Sequence, residues 1–194
     1  MTDSGVSTLM VRAFSTGTMD FDDALLLGSD GKGPDLGLPW PATPIGTWRL
    51  WDQTGTTWAS LEPAKGIWDF SLLDLAVQDA LKNHTQIVLT LGQSPTWASA
   101  RPTEPSFYGV GAPAEPKDVK DWINYLQTVA TRYRGKIFNY EIWNEPNDPQ
   151  YFSGTIPKLV QLTQLARQTL KQVDSRNQIL GVWSMSLRLS TDSP

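Results

Sequence analysis

The chain contains no cysteine in 194 residues, so it can form neither a disulfide framework nor a thiolate metal site. Redox chemistry therefore gives no information about its compartment. It has a single histidine, His84, which disfavours a Ser-His-Asp hydrolase and leaves no cluster of ligands to hold a metal. Basic residues are few and scattered: Lys and Arg total 16 against 20 Asp and Glu, giving a net charge of -4 and no stripe to follow a phosphate backbone. Nucleic acid is excluded as an expected partner. Long hydrophobic runs are missing as well, with no window approaching the roughly 18 apolar residues of a membrane span. Residues 1–14 lack a basic region followed by a sustained apolar stretch, so no signal peptide is read. The chain is expected to be soluble, without a membrane partner, and its localisation stays open.

Tryptophan, by contrast, is abundant, at 9 residues beside 5 Tyr and 6 Phe. An indole has a flat apolar face and a polar edge, which suits core packing and also suits stacking on the C–H face of a sugar ring. Packing is the default reading. At this length one well-buried core is expected, so residues 1–194 are read as a single domain.

Short apolar runs rich in β-branched and aromatic residues alternate with helical periodicity, the pattern of strand-helix units in an α/β parallel sheet. Strands are predicted at Ile45–Asp52, Gln86–Leu91, Ile137–Trp143 and Gln178–Ser184. Ser7–Phe14 is a further candidate strand within residues 1–44, the least readable part, where Gly28–Pro44 is rich in Gly and Pro. One helix opens at Ser71, ends near Asn83 and is expected to bury Leu72, Leu75, Ala76 and Ala80. The next starts just after Pro116, carries Val119, Trp122, Ile123, Leu126, Val129, Ala130 and Tyr133 at spacings of three and four, and stops at Gly135. A third has Pro157 in its first turn, an apolar face from Leu159 to Val173, and a polar close at Asp174–Asn177. Two long loops, at Gly92–Glu115 and Glu145–Thr155, follow the C-terminal ends of strands, where a (β/α) barrel builds its active site.

The segment Tyr140-Glu141-Ile142-Trp143-Asn144-Glu145-Pro146-Asn147 runs a hydrophobic strand straight into an Asn-Glu pair, and the proline stops the strand at the carboxylate. A glutamate at such a mouth, beside an amide able to hydrogen-bond a hydroxyl, suits a proton donor to a glycosidic oxygen. The same chain carries Gly46-Thr47-Trp48-Arg49-Leu50-Trp51-Asp52, Leu61-Glu62-Pro63, Gly66-Ile67-Trp68-Asp69-Phe70 and Leu89-Thr90-Leu91-Gly92-Gln93-Ser94-Pro95-Thr96-Trp97-Ala98. In this order the set resembles the clan-A retaining glycoside hydrolases, most of all glycoside hydrolase family 39, over roughly residues 45–185.

The resemblance implies a partial (β/α)8 TIM-type barrel of about five βα units. It implies Glu145 as general acid/base, Asn144 as partner of the sugar 2-hydroxyl, and Arg49 facing the catalytic centre. Trp143, Gln93 and Trp97 would line the mouth, with Asp52 beside them at the end of its strand. Trp97 and Trp143 are assigned to sugar stacking by their place in the chain; Trp48, Trp51, Trp58, Trp68, Trp122 and Trp183 are assigned to the core. No cofactor is expected. In this clan the nucleophile comes from the seventh strand, and the chain is expected to stop short of it. Glu141, about 13 Å below Glu145 at strand rise, is expected to pair with Arg49, while Asp52 could assist a water in an inverting reaction.

An open five-stranded sheet would expose two edges, so either a homodimer or residues 1–44 are expected to cover the opening. Three activities follow: hydrolysis of O-glycosidic bonds of β-linked sugars, carbohydrate binding without turnover, and, most remotely, an esterase-type reaction. Ala13-Phe14-Ser15-Thr16-Gly17 argues against the last, because it lacks the first glycine of a nucleophile elbow.

Overall fold

The computed structural model describes residues 45–180. It contains β1 (Thr47–Leu50), a 3-10 turn (Asp52–Thr54), α1 (Trp58–Leu61), α2 (Ser71–Lys82), β2 (Gln86–Leu91), α3 (Val119–Arg132), β3 (Asn139–Ile142), α4 (Ile156–Val173) and β4 (Gln178–Leu180). All three neighbouring strand pairs are parallel, and the order across the sheet is β1-β2-β3-β4. Because the order never reverses, every right-handed crossover steps the same way and the helices collect on one face. A doubly wound sheet would reverse its order and carry helices on both faces. The fold is therefore α/β with barrel-type winding.

The register sorts the side chains. Leu50 pairs with Leu89 and Leu89 with Tyr140, while Leu91 pairs with Ile142, so these point to one face together with Ile87; Arg49, Val88, Thr90, Asn139 and Glu141 point to the other. The first set joins Trp58, Leu61, Trp122, Tyr125, Leu126, Leu162 and Leu170 in one buried core. Trp58 is its centre, stacked on Tyr125 at 4.9 Å and contacting Trp122 at 5.6 Å. Of the tryptophans assigned to packing, Trp51, Trp58 and Trp122 are buried, and Trp48 and Trp68 pack partly buried against the core.

Strand Gln86–Leu91 has the bounds expected from sequence. The strands predicted at 45–52 and 137–143 are shorter, because residues past Leu50 and Ile142 turn into loops that carry polar groups above the sheet. The strand Gln178–Leu180 begins where expected; the rest of that prediction, Trp183, and the candidate strand Ser7–Phe14 lie outside the described residues. In α2 the buried stripe is Leu73, Ala76, Val77 and Ala80, which corrects the expected face: Leu75 is exposed and Leu72 half-buried. Phe70 holds the N-cap position of this helix without a side-chain cap, and just before it the Asp69 carboxylate accepts from the Ser71 backbone N–H at 2.9 Å. In α3 Tyr125 joins the buried set while Val119 and Ile123 from the expected face are half-buried, and its N-cap is Asp118. The short helix α1, entered through Thr57 as N-cap, went unrecognised in the sequence because four residues carry no period.

Among the described residues no helix is long and apolar enough to cross a membrane.

Candidate active site

Arg49 and Glu141 leave the same face of neighbouring-but-one strands, and Thr90 stands on the strand between them. Arg49 donates to Glu141 Oε2 from Nε at 2.8 Å and from Nη2 at 2.8 Å, and the Thr90 hydroxyl donates to the same oxygen. This is the pairing expected from the sequence. Glu141 is wholly buried, and its other oxygen, Oε1, has no hydrogen-bond partner. The ion pair is thus held by three donors on one oxygen, a geometry in which loss of either partner strands a desolvated charge.

The Arg49 guanidinium reaches one residue further and donates from Nη2 to Asn144 Oδ1 at 2.7 Å. A guanidinium has only donors, so the amide atom it meets must be the oxygen, and the Asn144 –NH₂ is forced to the opposite side. There it stands 3.4 Å from Glu145 Oε2. Arg49, Asn144 and Glu145 are therefore one assembly, in which the β1–β3 ion pair sets the direction of the amide beside the carboxylate.

The backbone at the two strand ends is unusual. Gln93, Trp143 and Glu145 have φ of 59°, 64° and 35°, in the left-handed region that side chains other than glycine rarely occupy. Each costs about 1–3 kcal/mol and such residues cluster at functional sites. The loop after β3 is anchored by Trp143 N to Leu91 O at 2.7 Å, and Gly92 lets the indole lie against the backbone, since a Cβ there would meet Trp143 Cδ2 at 3.0 Å.

Trp143 corrects the expectation of a stacking residue. It is fully buried, packs edge-on against Phe152 at 4.9 Å, and donates its indole N–H to Tyr151 O at 2.6 Å. A buried ring offers no face to a sugar; it forms the floor beneath Glu145. Gln93 is also buried, at 3% exposure, with its Nε2 unpartnered. Trp97 is half-buried, donates to Glu62 O at 2.9 Å, and carries the Lys65 ammonium 5.6 Å from its ring centroid. His84 follows the end of α2, at the opposite end of the strands from these loops.

Two residues missed in the sequence complete the site. Tyr108, from the loop after β2, and Tyr151, from the loop after β3, stack at 4.9 Å with their hydroxyls 2.9 Å apart. Burial raises both phenols above their ordinary range; the Tyr151 hydroxyl and then the charge of Asp52 add to this at Tyr108, and the charge of Glu145 adds to it at Tyr151. Asp52, in the turn after β1, is near enough for its charge to act on Tyr108. The only sequence signal for either tyrosine was an aromatic inside a long loop.

The two loops are clamped beside this pair. Arg101 bonds Glu104 at 3.0 Å, Glu115 at 2.9 Å and the Ser153 hydroxyl at 2.7 Å, joining the loop after β2 to that after β3. Burial pushes the Glu115 carboxyl up, but the ion pair with Arg101 outweighs it and holds the carboxyl below its usual range. Among the described residues no three His, Cys, Asp or Glu side chains gather as a metal site.

No family model matches the chain. Solved structures do. A glucosidase from Croceicoccus marinus is similar at 15% identity and TM-score 0.55, covering 73% of this chain and 31% of that one. A monomeric β-xylosidase from Caulobacter crescentus CB15 gives 17% identity and TM-score 0.56, covering 69% and 29%. The GH39 enzyme from Xanthomonas axonopodis pv. citri gives 18% and 0.53, covering 69% and 28%. This chain thus spans about a third of the length of the structures it matches. What the likeness establishes is the fold: part of the barrel on which those glycoside hydrolases are built. The resemblance read over roughly residues 45–185 and the structural likeness agree on the fold.

Proposed function

We propose that this chain carries the acid/base part of a glycoside hydrolase site, acting on O-glycosidic bonds of β-linked sugars with Glu145 as the general acid/base. The observation that supports this most is the Arg49–Asn144–Glu145 assembly at the C-terminal mouth of β3, where a strained backbone presents a carboxyl beside an oriented amide. In its acid form Glu145 would give its proton to the leaving-group oxygen as the bond to the anomeric carbon breaks. In its carboxylate form it would take a proton from the water that completes hydrolysis. The Asn144 –NH₂, pinned by Arg49, would donate to a sugar hydroxyl, a bond that strengthens as positive charge builds on the ring. Trp97, which is half-buried, would border the sugar, while the buried Gln93 would support the mouth from beneath.

Either stereochemical course needs a second carboxyl, about 5–5.5 Å away for retention or about 6.5–9.5 Å for inversion. Asp52 is the carboxyl considered for that part, because its charge is felt at the Tyr108 phenol, whose hydroxyl meets that of Tyr151 at 2.9 Å.

The test is the initial rate on aryl β- and α-glycosides for wild type and Glu145→Gln, from about pH 4 to about pH 9. A loss of about 10²–10⁴-fold in the variant supports the acid/base assignment. Equal rates for the two proteins would sink it. No turnover by either, together with saturable oligosaccharide binding by calorimetry, would favour carbohydrate binding without hydrolysis.

A further inference from the structure

The loops after β2 and β3 are held in different ways. The loop after β2 braces itself. The Ser99 hydroxyl donates to Gly111 O at 2.7 Å and accepts from the Arg101 N–H at 3.1 Å, and the Ser94 hydroxyl donates to Ala114 O at 2.7 Å. The Gly111 N–H donates to Glu104 O at 2.7 Å. Gly111 has a φ of 80°, and a Cβ there would meet Pro102 Cα and Ser99 Oγ at 3.0 Å, so the turn packs too tightly for a side chain.

The loop after β3 carries the strain, with Trp143 and Glu145 at φ of 64° and 35°. After Glu145 the chain makes one turn, in which the Asp148 N–H donates to Glu145 O at 2.9 Å and the Tyr151 and Phe152 N–H groups donate to Asp148 O at 3.0 Å. The Trp143 indole N–H closes this turn on Tyr151 O. The far end of the turn then leans on the loop after β2. Ser153 N–H donates to Pro113 O at 3.0 Å, the Ser106 hydroxyl donates to Gln150 O at 3.1 Å, and the Tyr108 and Tyr151 hydroxyls meet at 2.9 Å. Arg101 supplies the charged part of this contact. Its guanidinium donates to Ser153 Oγ at 2.7 Å while it pairs with Glu104 and Glu115, and the Ser153 hydroxyl donates on to Glu104 Oε2 at 2.7 Å. The bare Gly154 leaves room for it, since a Cβ there would meet Glu115 Oε2 at 2.9 Å.

We infer that Arg101 is a positioning residue for Glu145: by tying Ser153 to the self-braced loop, it holds the turn after β3 closed and keeps the Glu145 backbone in its left-handed conformation. A non-glycine residue persists in that region only where its surroundings over-determine it. Released from Arg101, the turn over residues 145–153 opens, the φ of Glu145 relaxes to negative values, and its carboxyl swings away from the Asn144 –NH₂ that Arg49 orients. Arg101 acts through Ser153 and the turn, not by contact with reacting atoms. The effect on turnover rests on the glycosidase reading above; the hold on the loop does not.

The geometry at Arg101 is one that a lysine cannot copy, because a single ammonium does not present a planar fork to three partners. The Arg101 side chain is 38% exposed, so its charge pairs are screened. What screening leaves intact is the direction of the donors, and that direction fixes where Ser153 lies. Arg132 offers a contrast of similar exposure, at 45%: it pairs with Asp74 and joins α3 to α2, with no loop between them.

The experiment pairs hydrogen–deuterium exchange of the whole chain, read by mass spectrometry over residues 145–153, with steady-state kinetics on aryl β-glycosides. The proteins are wild type, Arg101→Met, Arg101→Lys, Ser153→Ala and the control Arg132→Met. In Arg101→Met, exchange over 145–153 rises by about tenfold or more while β2 and α3 keep their wild-type rates. Its kcat falls by about 10- to 10²-fold, with KM within about threefold of wild type. Arg101→Lys recovers part of both losses. Ser153→Ala removes one oxygen, leaves the ion pairs of Arg101 in place, and moves both readouts the same way by less; it carries the test if Arg101→Met does not fold. Arg132→Met leaves the exchange of 145–153 and kcat at wild-type values. Wild-type exchange over 145–153 in the Arg101 and Ser153 variants overturns the inference, and so does a rise spread evenly over all strands and helices. Should exchange rise locally while wild type turns over no glycoside, the hold of Arg101 on the Glu145 loop stands and the glycosidase reading falls. Should Glu145→Gln abolish turnover while Arg101→Met and Ser153→Ala keep the wild-type kcat, the reading stands and the positioning role falls.

Discussion

The two faces of the sheet are built from alternate residues of the same strands, yet they are held by different physics. Toward the helices lie Leu50, Ile87, Leu89, Leu91, Tyr140 and Ile142, packed on the Trp58–Trp122–Tyr125 cluster. Each fully buried side chain of this kind contributes about 1.5–3 kcal/mol by removal from water, and none depends on a particular partner atom. On the opposite face lie Arg49, Thr90 and Glu141, whose contacts are directional and specific. A buried ion pair of this sort adds little net stability, because desolvation offsets the attraction. What it does supply is direction: it fixes which atom of Asn144 faces Glu145. The apolar face stabilises the sheet and the polar face orients the Asn144 amide at its end.

Substitution on each face tests that division. On the apolar side, Trp122→Ala removes a fully buried indole that also donates to Leu162 O at 3.1 Å, and it is expected to cost about 3–5 kcal/mol in denaturant unfolding. A cost below about 1 kcal/mol would show that the cluster is not the centre of the core. On the polar side, Glu141→Leu alone should cost about 2–3 kcal/mol by leaving Arg49 without its partner, somewhat less than for a fully enclosed pair because Arg49 keeps some access to water. The double variant Arg49→Met with Glu141→Leu should be more stable than Glu141→Leu, whereas additive losses would refute the division of labour between the faces.

The smallest effect lies on the helical surface. Asp74 is held below the usual carboxylate range first by the Arg132 hydrogen bond and further by the Tyr133 hydroxyl at 2.8 Å. Its folded value is depressed, so its stabilisation is present above the unfolded value of about 3.9 and is lost as pH falls through the folded one. The stability difference between wild type and Asp74→Asn should therefore be steady near neutrality and shrink in acid. A difference that grows as pH falls would reverse the sign of the coupling.

How far the site could be read in advance depended on sequence distance. Strand Gln86–Leu91 and helices α3 and α4 were legible because periodicity is a local property, with Pro116 and Gly135 flanking one helix and Pro157 in the first turn of the other. Glu145 was legible because strand, carboxylate and proline are contiguous. The Arg49–Glu141 pair was legible from an inward-facing charge, although the partners are 92 residues apart. Helix α2 was misread along its stripe, since Leu72, Leu73 and Leu75 are all apolar and only packing decides among them. Trp143 was misread because a tryptophan next to a strand-end carboxylate looks the same in sequence whether it faces the cleft or the core.

The sequence by itself determined the alternation of strands and helices, the apolar stripe of α3 and α4, and the carboxylate at the end of β3, because these follow from the spacing of neighbouring residues. Only the tertiary structure decided that Asn144 turns its –NH₂ toward Glu145, that Trp143 lies under the site, and that Tyr108 and Tyr151 meet. Those outcomes depend on contacts between loops 43 residues apart and on which of two faces a side chain finds filled, and neither is written in any local period.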